Sequence, residues 1–174
     1  MVLLLAAIPM LYKKQLTPEQ AHQKLKHYCA YQERCHAEVK EKIYSFGLRK
    51  QQVEELIARL IEENCLNEER FALQFAGGKF RLKQWGRIKI KHALKQKQVS
   101  DYCINKALGA IEDGQYEKVL LRLAEKKWKS VKGVAVNRFV RMSKTNTYLL
   151  QRGFEPHLVR QTINKLNEDY TALN

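Results

Sequence analysis

From Phe71 to Ser100 thirty consecutive residues carry no Asp or Glu, and eight of them are basic: Lys79, Arg81, Lys83, Arg87, Lys89, Lys91, Lys95 and Lys97. A helix face that meets only water ordinarily mixes signs, because opposite charges three or four residues apart support it and like charges repel. An acid-free run forgoes that support, and the chemistry it offers is the holding of a polyanion. A second basic region runs from Lys118 to Arg152, with ten basic residues against the single acid Glu125. Aromatics lie among these charges: Phe80 and Trp85 in the first region, Trp128 and Phe139 in the second. Rings interleaved with cations can stack on unpaired bases, although rings at helical spacing more often fill a core. Trp85, followed by Gly86 where a turn is expected, is the candidate for stacking. The candidate contacts to nucleic acid or a protein partner are Lys79, Arg81, Lys83, Arg87, Lys89, Lys91, Lys95, Lys126, Lys127, Arg138, Arg141 and Arg152.

Other chemistries find little support. His27, Cys29, Cys35 and His36 cluster in sequence, but their spacing matches no usual zinc pattern, and no metal is expected. The remaining thiols, Cys65 and Cys103, complete a set of four cysteines with no CxxC pair, which reads as reduced, mostly buried side chains. There is no phosphate-cradling glycine loop, no HExxH, no nucleophile elbow and no pair of carboxylates in an apolar setting. The acids sit at expected helix starts or on mixed faces such as Glu54-Glu55 and Glu62-Glu63. The expectation is a binding protein with no enzymatic activity and no cofactor.

Charge distribution sharpens that expectation. The 174 residues carry 32 Lys and Arg against 18 Asp and Glu, a formal net charge of +14. Residues 1–66 account for +2 of it and residues 67–174 for +12, so the second part of the chain holds the polyanion signal. A hydrophobic share of 45% and a charged share of 29% are those of a folded soluble protein. The first eleven residues are nearly all apolar, yet they lack a basic leader region and a small-residue cleavage site and are too short to span a bilayer. Met10, just ahead of Tyr12-Lys13-Lys14, offers an alternative start. Residues 1–16 therefore read as an apolar N-terminal extension of a cytoplasmic protein with no membrane attachment.

The elements that must position these side chains follow from the apolar pattern. Only three prolines occur, at 9, 18 and 156, and apolar residues recur at spacings of three and four, the helical signature. One pattern appears three times, anchored on Leu48, Val99 and Phe154, which lie 51 and 55 residues apart. Five residues before the anchors stand Ile43, Leu94 and Leu149; five after come Val53, Ile104 and Val159. Nine after come Ile57, Leu108 and Ile163, and twelve after come Leu60, Ile111 and Leu166. Gly47 and Gly153 directly precede their anchors, where a helix ending in a left-handed residue wants glycine, whereas the second copy has Gln98 there. Ser100-Asp101, Glu155-Pro156 and Asn67-Glu68-Glu69 are helix-start signals. Each copy thus reads as helix, helix, glycine-type turn, helix. The modules span roughly 17–66, 67–111 and 114–168, with a loop at 130–137 inside the third. The expected fold class is all-α: three tandem three-helix modules forming an elongated, curved array.

With these residues in view, the sequence resembles the RecX family of regulatory proteins. The stretch Ile61-Glu62-Glu63-Asn64-Cys65-Leu66-Asn67-Glu68-Glu69-Arg70-Phe71-Ala72 is similar to the family's most recognisable segment, an acidic helix end running into a new helix. Gly78-Lys79-Phe80-Arg81 through Trp85-Gly86-Arg87-Ile88 resembles the basic segment that follows it. Glu125-Lys126-Lys127-Trp128 and Tyr148-Leu149-Leu150-Gln151-Arg152-Gly153-Phe154 resemble signatures of the third module. The resemblance covers roughly residues 17–166, and Gln98 and the apolar amino terminus depart from it. It implies three three-helix modules in a crescent that bind the RecA recombinase filament on single-stranded DNA. It further implies restraint of filament growth, of its ATPase and strand exchange, and of the repressor self-cleavage it stimulates. The competing reading is a generic helical nucleic-acid-binding protein with a basic groove and no recombinase specificity.

Overall fold

The computed structural model describes residues 15–133 and 137–172, all of it helix, turn or extended connection. The expected apolar extension at residues 1–16 falls almost wholly outside the described residues, as do residues 134–136 of the expected loop. The chain divides into two compact units, Met1–Asn67 and Glu68–Asn174.

The first unit holds α1 (Pro18–Tyr31), α2 (His36–Ser45) and α3 (Lys50–Glu62). Thr17 caps α1 through a reciprocal pair: Gln20 N donates to the Thr17 hydroxyl at 3.3 Å and Thr17 N donates to Gln20 Oε1 at 3.2 Å, satisfying two orphan donors of the first turn. The three helices close over Ala21, Leu25, Val39, Ile43, Val53 and Leu60, none of which meets solvent. Burial of the Leu, Val and Ile side chains among them, worth about 1.5–3 kcal/mol each, is what holds the unit together. Glu63, just beyond α3, ties its end back to α1: Lys26 Nζ lies 3.0 Å from Glu63 Oε2 and buried His22 Nε2 lies 3.3 Å from it.

The second unit holds two further triplets. The first comprises α4 (Glu68–Lys83), α5 (Arg87–Gln96) and α6 (Asp101–Gly109); the second comprises α7 (Asp113–Ser130), α8 (Arg138–Gln151) and α9 (Pro156–Ala172). Of the fifteen repeated apolar positions, all but Ile57 and Leu108 are buried, and those two are half-buried. The repeat in sequence is thus a repeat of core positions.

The turn before each anchor is also repeated, with one substitution that the backbone absorbs. Gly47, Gln98 and Gly153 all adopt left-handed backbone, at φ 84°, 59° and 85°. Each donates its N–H to the carbonyl three residues back, of Tyr44, Lys95 and Leu150, at 2.9 Å. Gln98 therefore keeps the geometry of its glycine counterparts, at a strain of about 1–2 kcal/mol for a side chain in that region.

Among the described residues, no three of His, Cys, Asp and Glu are grouped as a metal ion would need. Cys29, Cys35 and Cys103 are buried and Cys65 is half-buried. Among the same residues, no helix is long and apolar enough to cross a membrane.

Candidate functional site

The basic run of the sequence folds onto α4, α5 and the short connection between them, and it meets the end of α8. The connection is tight. Gln84 takes left-handed backbone at φ 53°, ending α4 and turning Trp85 away from the helix. Gly86 then sits at the cap position of α5 in ordinary extended backbone, φ −75° and ψ 163°, so conformation alone does not demand glycine there. Space does. A Cβ on Gly86 would meet the carbonyl oxygen of Gly153 at 2.1 Å and its carbon at 2.2 Å.

Two helix ends satisfy each other at this contact. Gly86 N donates to Arg152 O at 2.8 Å and Ile88 N donates to Gly153 O at 3.0 Å. Orphan N–H groups at the start of α5 thus meet orphan carbonyls at the end of α8, with the helix dipoles in their favourable sense.

Arg87 and Tyr116 lock the contact from beneath. Arg87 donates through its guanidinium to Ile111 O at 2.8 Å and to Asp113 Oδ1 at 2.5 Å, and its own N–H donates to the Tyr116 hydroxyl at 2.9 Å. The fully buried Tyr116 hydroxyl donates in turn to Glu155 Oε2 at 2.6 Å. Burial, followed by the Glu155 hydrogen bond, pushes the Tyr116 phenol well above its usual pKa of 10.0. Phe80 and Phe154 flank the Tyr116 ring, at centroid distances of 5.7 and 5.1 Å.

Above this hub lies an open cleft of about 350 Å³, lined by Lys83, Trp85 and Lys89 on one side and Tyr148, Gln151 and Arg152 on the other. It has three cations, two rings and no carboxylate in its lining. Trp85 is approached by Lys79 Nζ at 5.1 Å and Lys89 Nζ at 4.9 Å from its ring centroid. Tyr148 is approached by Lys127 Nζ at 5.5 Å and by the Arg152 guanidinium carbon at 5.1 Å. Arg152 is steadied by donating to Lys83 O at 2.8 Å, and Lys89 Nζ donates to Gln151 O at 3.3 Å. Cation–ring contacts at such exposed sites are worth about 0.5–1 kcal/mol each, and stacking of a base on an aromatic ring is worth about 1–3 kcal/mol. A base can therefore displace a lysine from a ring, freeing the ammonium for a phosphate.

The residues anticipated from sequence separate into three groups. Lys79, Lys83, Trp85, Lys89, Lys127 and Arg152 gather at the cleft or on its rings. Arg81, Lys91, Lys95 and Lys126 are exposed on their helices outside its lining, Lys95 paired with Asp101 at 3.3 Å. Arg87 and Arg141 are half-buried and Arg138 is exposed, and each is engaged by another part of the chain. Arg87 holds the hub, Arg138 donates to Asn167, and the half-buried Arg141 lies against the ring of Trp128, 5.8 Å from its centroid. Arg87 in particular corrects the expectation of an exposed cation, because its side chain is only 22% exposed and its Nη2 donates to both Ile111 O and Asp113 Oδ1.

Two cleft residues, Gln151 and Tyr148, were not anticipated as sites, and the ring among them is Tyr148. The spacing of Tyr148 from Lys144 on α8 and from Arg152 just beyond its end, four residues each way, is the signal that a ring shares a face with two cations. Trp128 and Phe80, the other rings noted among the charges, are buried, at 2% and 5% exposure, whereas Phe139 is 76% exposed on α8.

Two linked three-helix modules sharing a cationic, aromatic cleft define an all-helical tandem-module protein. Known families match it in the same places. The family model described as "RecX, second three-helix domain" matches residues 67–108, and that described as "RecX, third three-helix domain" matches residues 115–163. The regulatory protein RecX of Prosthecochloris aestuarii is 30% identical over 139 residues, covering 80% of this chain and 88% of that protein. The regulatory protein RecX of Clostridium tetani is 30% identical over 129 residues, covering 74% of this chain but only 59% of the relative. The crystal structure of RecX from Lactobacillus salivarius superposes with a TM-score of 0.78 at 23% identity, over 86% of this chain and 96% of that one, a likeness of fold. The chain belongs to the RecX family of regulatory proteins.

Proposed function

We propose that this protein regulates recombination by binding the RecA recombinase filament on single-stranded DNA in the cytoplasm. Binding there would restrain filament growth and with it the filament's ATPase, strand exchange and coprotease activities, modulating DNA repair and the SOS response. Family membership supports the regulatory role. The observation that carries the interface is the acid-free cleft, in which Lys83, Lys89 and Arg152 surround Trp85 and Tyr148. A site built of cations and open rings suits a nucleoprotein, where phosphates and unpaired bases are presented together. The +12 net charge of residues 67–174 extends that preference over the whole second unit.

In this reading Lys79, Lys83, Lys89, Lys127 and Arg152 bear directly on the filament, while Arg81, Lys91, Lys95 and Lys126 contribute the surrounding field. Arg87, Arg138 and Arg141 act by holding the scaffold. The test is equilibrium binding to a RecA filament on single-stranded DNA and to the bare strand, at one salt concentration. The reading expects a clear preference for the filament. Equal affinity for both would favour a general nucleic-acid-binding protein.

A further inference from the structure

The cleft between α5 and α8 offers more than positive charge. Its two rings lie on opposite walls, Trp85 beside α5 and Tyr148 on α8. Both are half-buried, so each keeps one part packed and another open. Every cation that approaches them belongs to a long flexible side chain: Lys79 and Lys89 over Trp85, Lys127 and Arg152 over Tyr148. The cleft volume, about 350 Å³, lies at the lower end of the roughly 300–1,000 Å³ usual for ligand clefts.

The geometry points to a subsite for one unpaired nucleotide of single-stranded nucleic acid, its base held on Trp85 and Tyr148 and its flanking phosphates on Lys83, Lys89 and Arg152. This rests on the filament reading above and names which part of the nucleoprotein the protein touches itself. Cations alone would serve an acidic peptide equally well, but such a peptide has no use for two open rings. A base needs them, and stacking tolerates any base because each has a π-face. The walls are held at fixed separation by the contact of Gly86 with Gly153, so the cleft is formed before a ligand arrives.

Tryptophan fluorescence reads this site cleanly. The chain has two tryptophans, and Trp128 is 2% exposed, with its ring 5.6 Å from that of Tyr170, so an added ligand reaches Trp85. The protein is titrated at one salt concentration with a twelve-residue oligothymidylate, an abasic deoxyribose-phosphate chain of equal length, and a polyglutamate peptide of equal charge. The expected result is quenching by oligothymidylate that survives Trp128→Phe and disappears in Trp85→Phe. Trp85→Ala and Tyr148→Ala should each weaken oligothymidylate binding on the order of ten-fold, read by anisotropy of a labelled strand, while abasic binding changes less than two-fold. Trp85→Phe, which keeps a ring, should retain most of the affinity, and circular dichroism checks that each variant is folded.

Equal weakening toward the oligothymidylate and abasic chains would overturn the subsite, as would polyglutamate binding that matches oligothymidylate and depends on Trp85 to the same degree. Filament preference is measured separately on the unaltered protein. Loss of base dependence with filament preference intact would end the subsite alone; loss of filament preference with base dependence intact would end the filament reading alone.

Discussion

Gly86→Ala isolates the contact on which the site depends. The backbone of Gly86 is extended and tolerates any residue, so the added methyl acts only through space. It would meet Gly153 O at 2.1 Å, where ordinary contact needs about 3.4 Å, and the obstacle is backbone that cannot swing aside. The start of α5 must therefore retreat from the end of α8 by more than an ångström. That stretches the 2.8 Å bond from Gly86 N to Arg152 O and the 3.0 Å bond from Ile88 N to Gly153 O beyond hydrogen-bonding distance. Each buried group stranded in this way costs about 1–3 kcal/mol, so the two broken bonds cost about 2–6 kcal/mol in all. Against that, alanine recovers under about 1 kcal/mol by stiffening the unfolded chain.

For a unit of this size the deficit corresponds to a fall in melting temperature on the order of 10 °C. Gly78→Ala is the matched control. Gly78 lies inside α4 with nothing within 4 Å of its added Cβ, so the same substitution should stabilise by about 0.5–1 kcal/mol. Thermal denaturation followed by circular dichroism measures both. A Gly86→Ala protein that melts with the wild type, or a Gly78→Ala protein that melts well below it, would show that close approach to Gly153 does not govern stability here. At temperatures where Gly86→Ala remains folded, its affinity for single-stranded DNA should still fall, because the walls of the cleft have moved apart.

Three further outcomes follow from the same structure. Gln98→Gly should raise stability by about 0.5–1 kcal/mol, since relief of left-handed strain exceeds the added freedom of the unfolded chain; urea denaturation reads it as a higher midpoint with an unchanged slope. Tyr116→Phe should lose about 1–3 kcal/mol by stranding Arg87 N–H and Glu155, and it should also flatten the alkaline limb of the stability profile. The folded Tyr116 keeps its proton where the unfolded phenol ionises near 10, so its contribution is complete below that pH and fades as pH rises toward the folded value; denaturation at pH 8 and above pH 10 compares the two proteins. Lys83→Glu/Lys89→Glu/Lys91→Glu should fold normally while losing DNA affinity and its dependence on salt, each lost phosphate contact lowering the slope by about 0.7 on single strands; the same melting temperature with unchanged binding would show that the charge is incidental. Arg87 is left out of that variant because its reversal would break the hub.

Much of this architecture was legible in the sequence, because the positions that specify it obey short-range rules. Leu48, Val99 and Phe154 and their satellites mark the core of each module through helical periodicity alone. Gly47 and Gly153 mark turns because φ there is positive, a local demand. The turn at Gln98 was harder to read, since strain on a glutamine leaves no mark in composition.

The site was legible only in outline. The acid-free run located the charged surface, and Trp85 does lie in the cleft. What periodicity could not supply was direction. Arg87 stands between Lys83 and Lys89 in the same run, yet it turns inward because Tyr116, Ile111 and Asp113, more than twenty residues away, meet it there. Gly86 looked like a turn glycine and is instead a point of close approach to Gly153, a partner 67 positions along the chain. Tyr148 joins Trp85 for the same reason. Contacts between modules set these roles, and a pattern that repeats within each module carries no record of them.

We propose that restraint of a recombinase filament acts through the cationic cleft. The most direct test is a titration of the protein into RecA hydrolysing ATP on single-stranded DNA, run beside a cleft variant carrying Lys83→Glu, Trp85→Ala and Lys89→Glu. The native protein should suppress hydrolysis at well under one molecule per recombinase, and the variant, equally stable, should not. Unchanged hydrolysis at stoichiometric native protein, or equal suppression by the variant, would contradict that proposal.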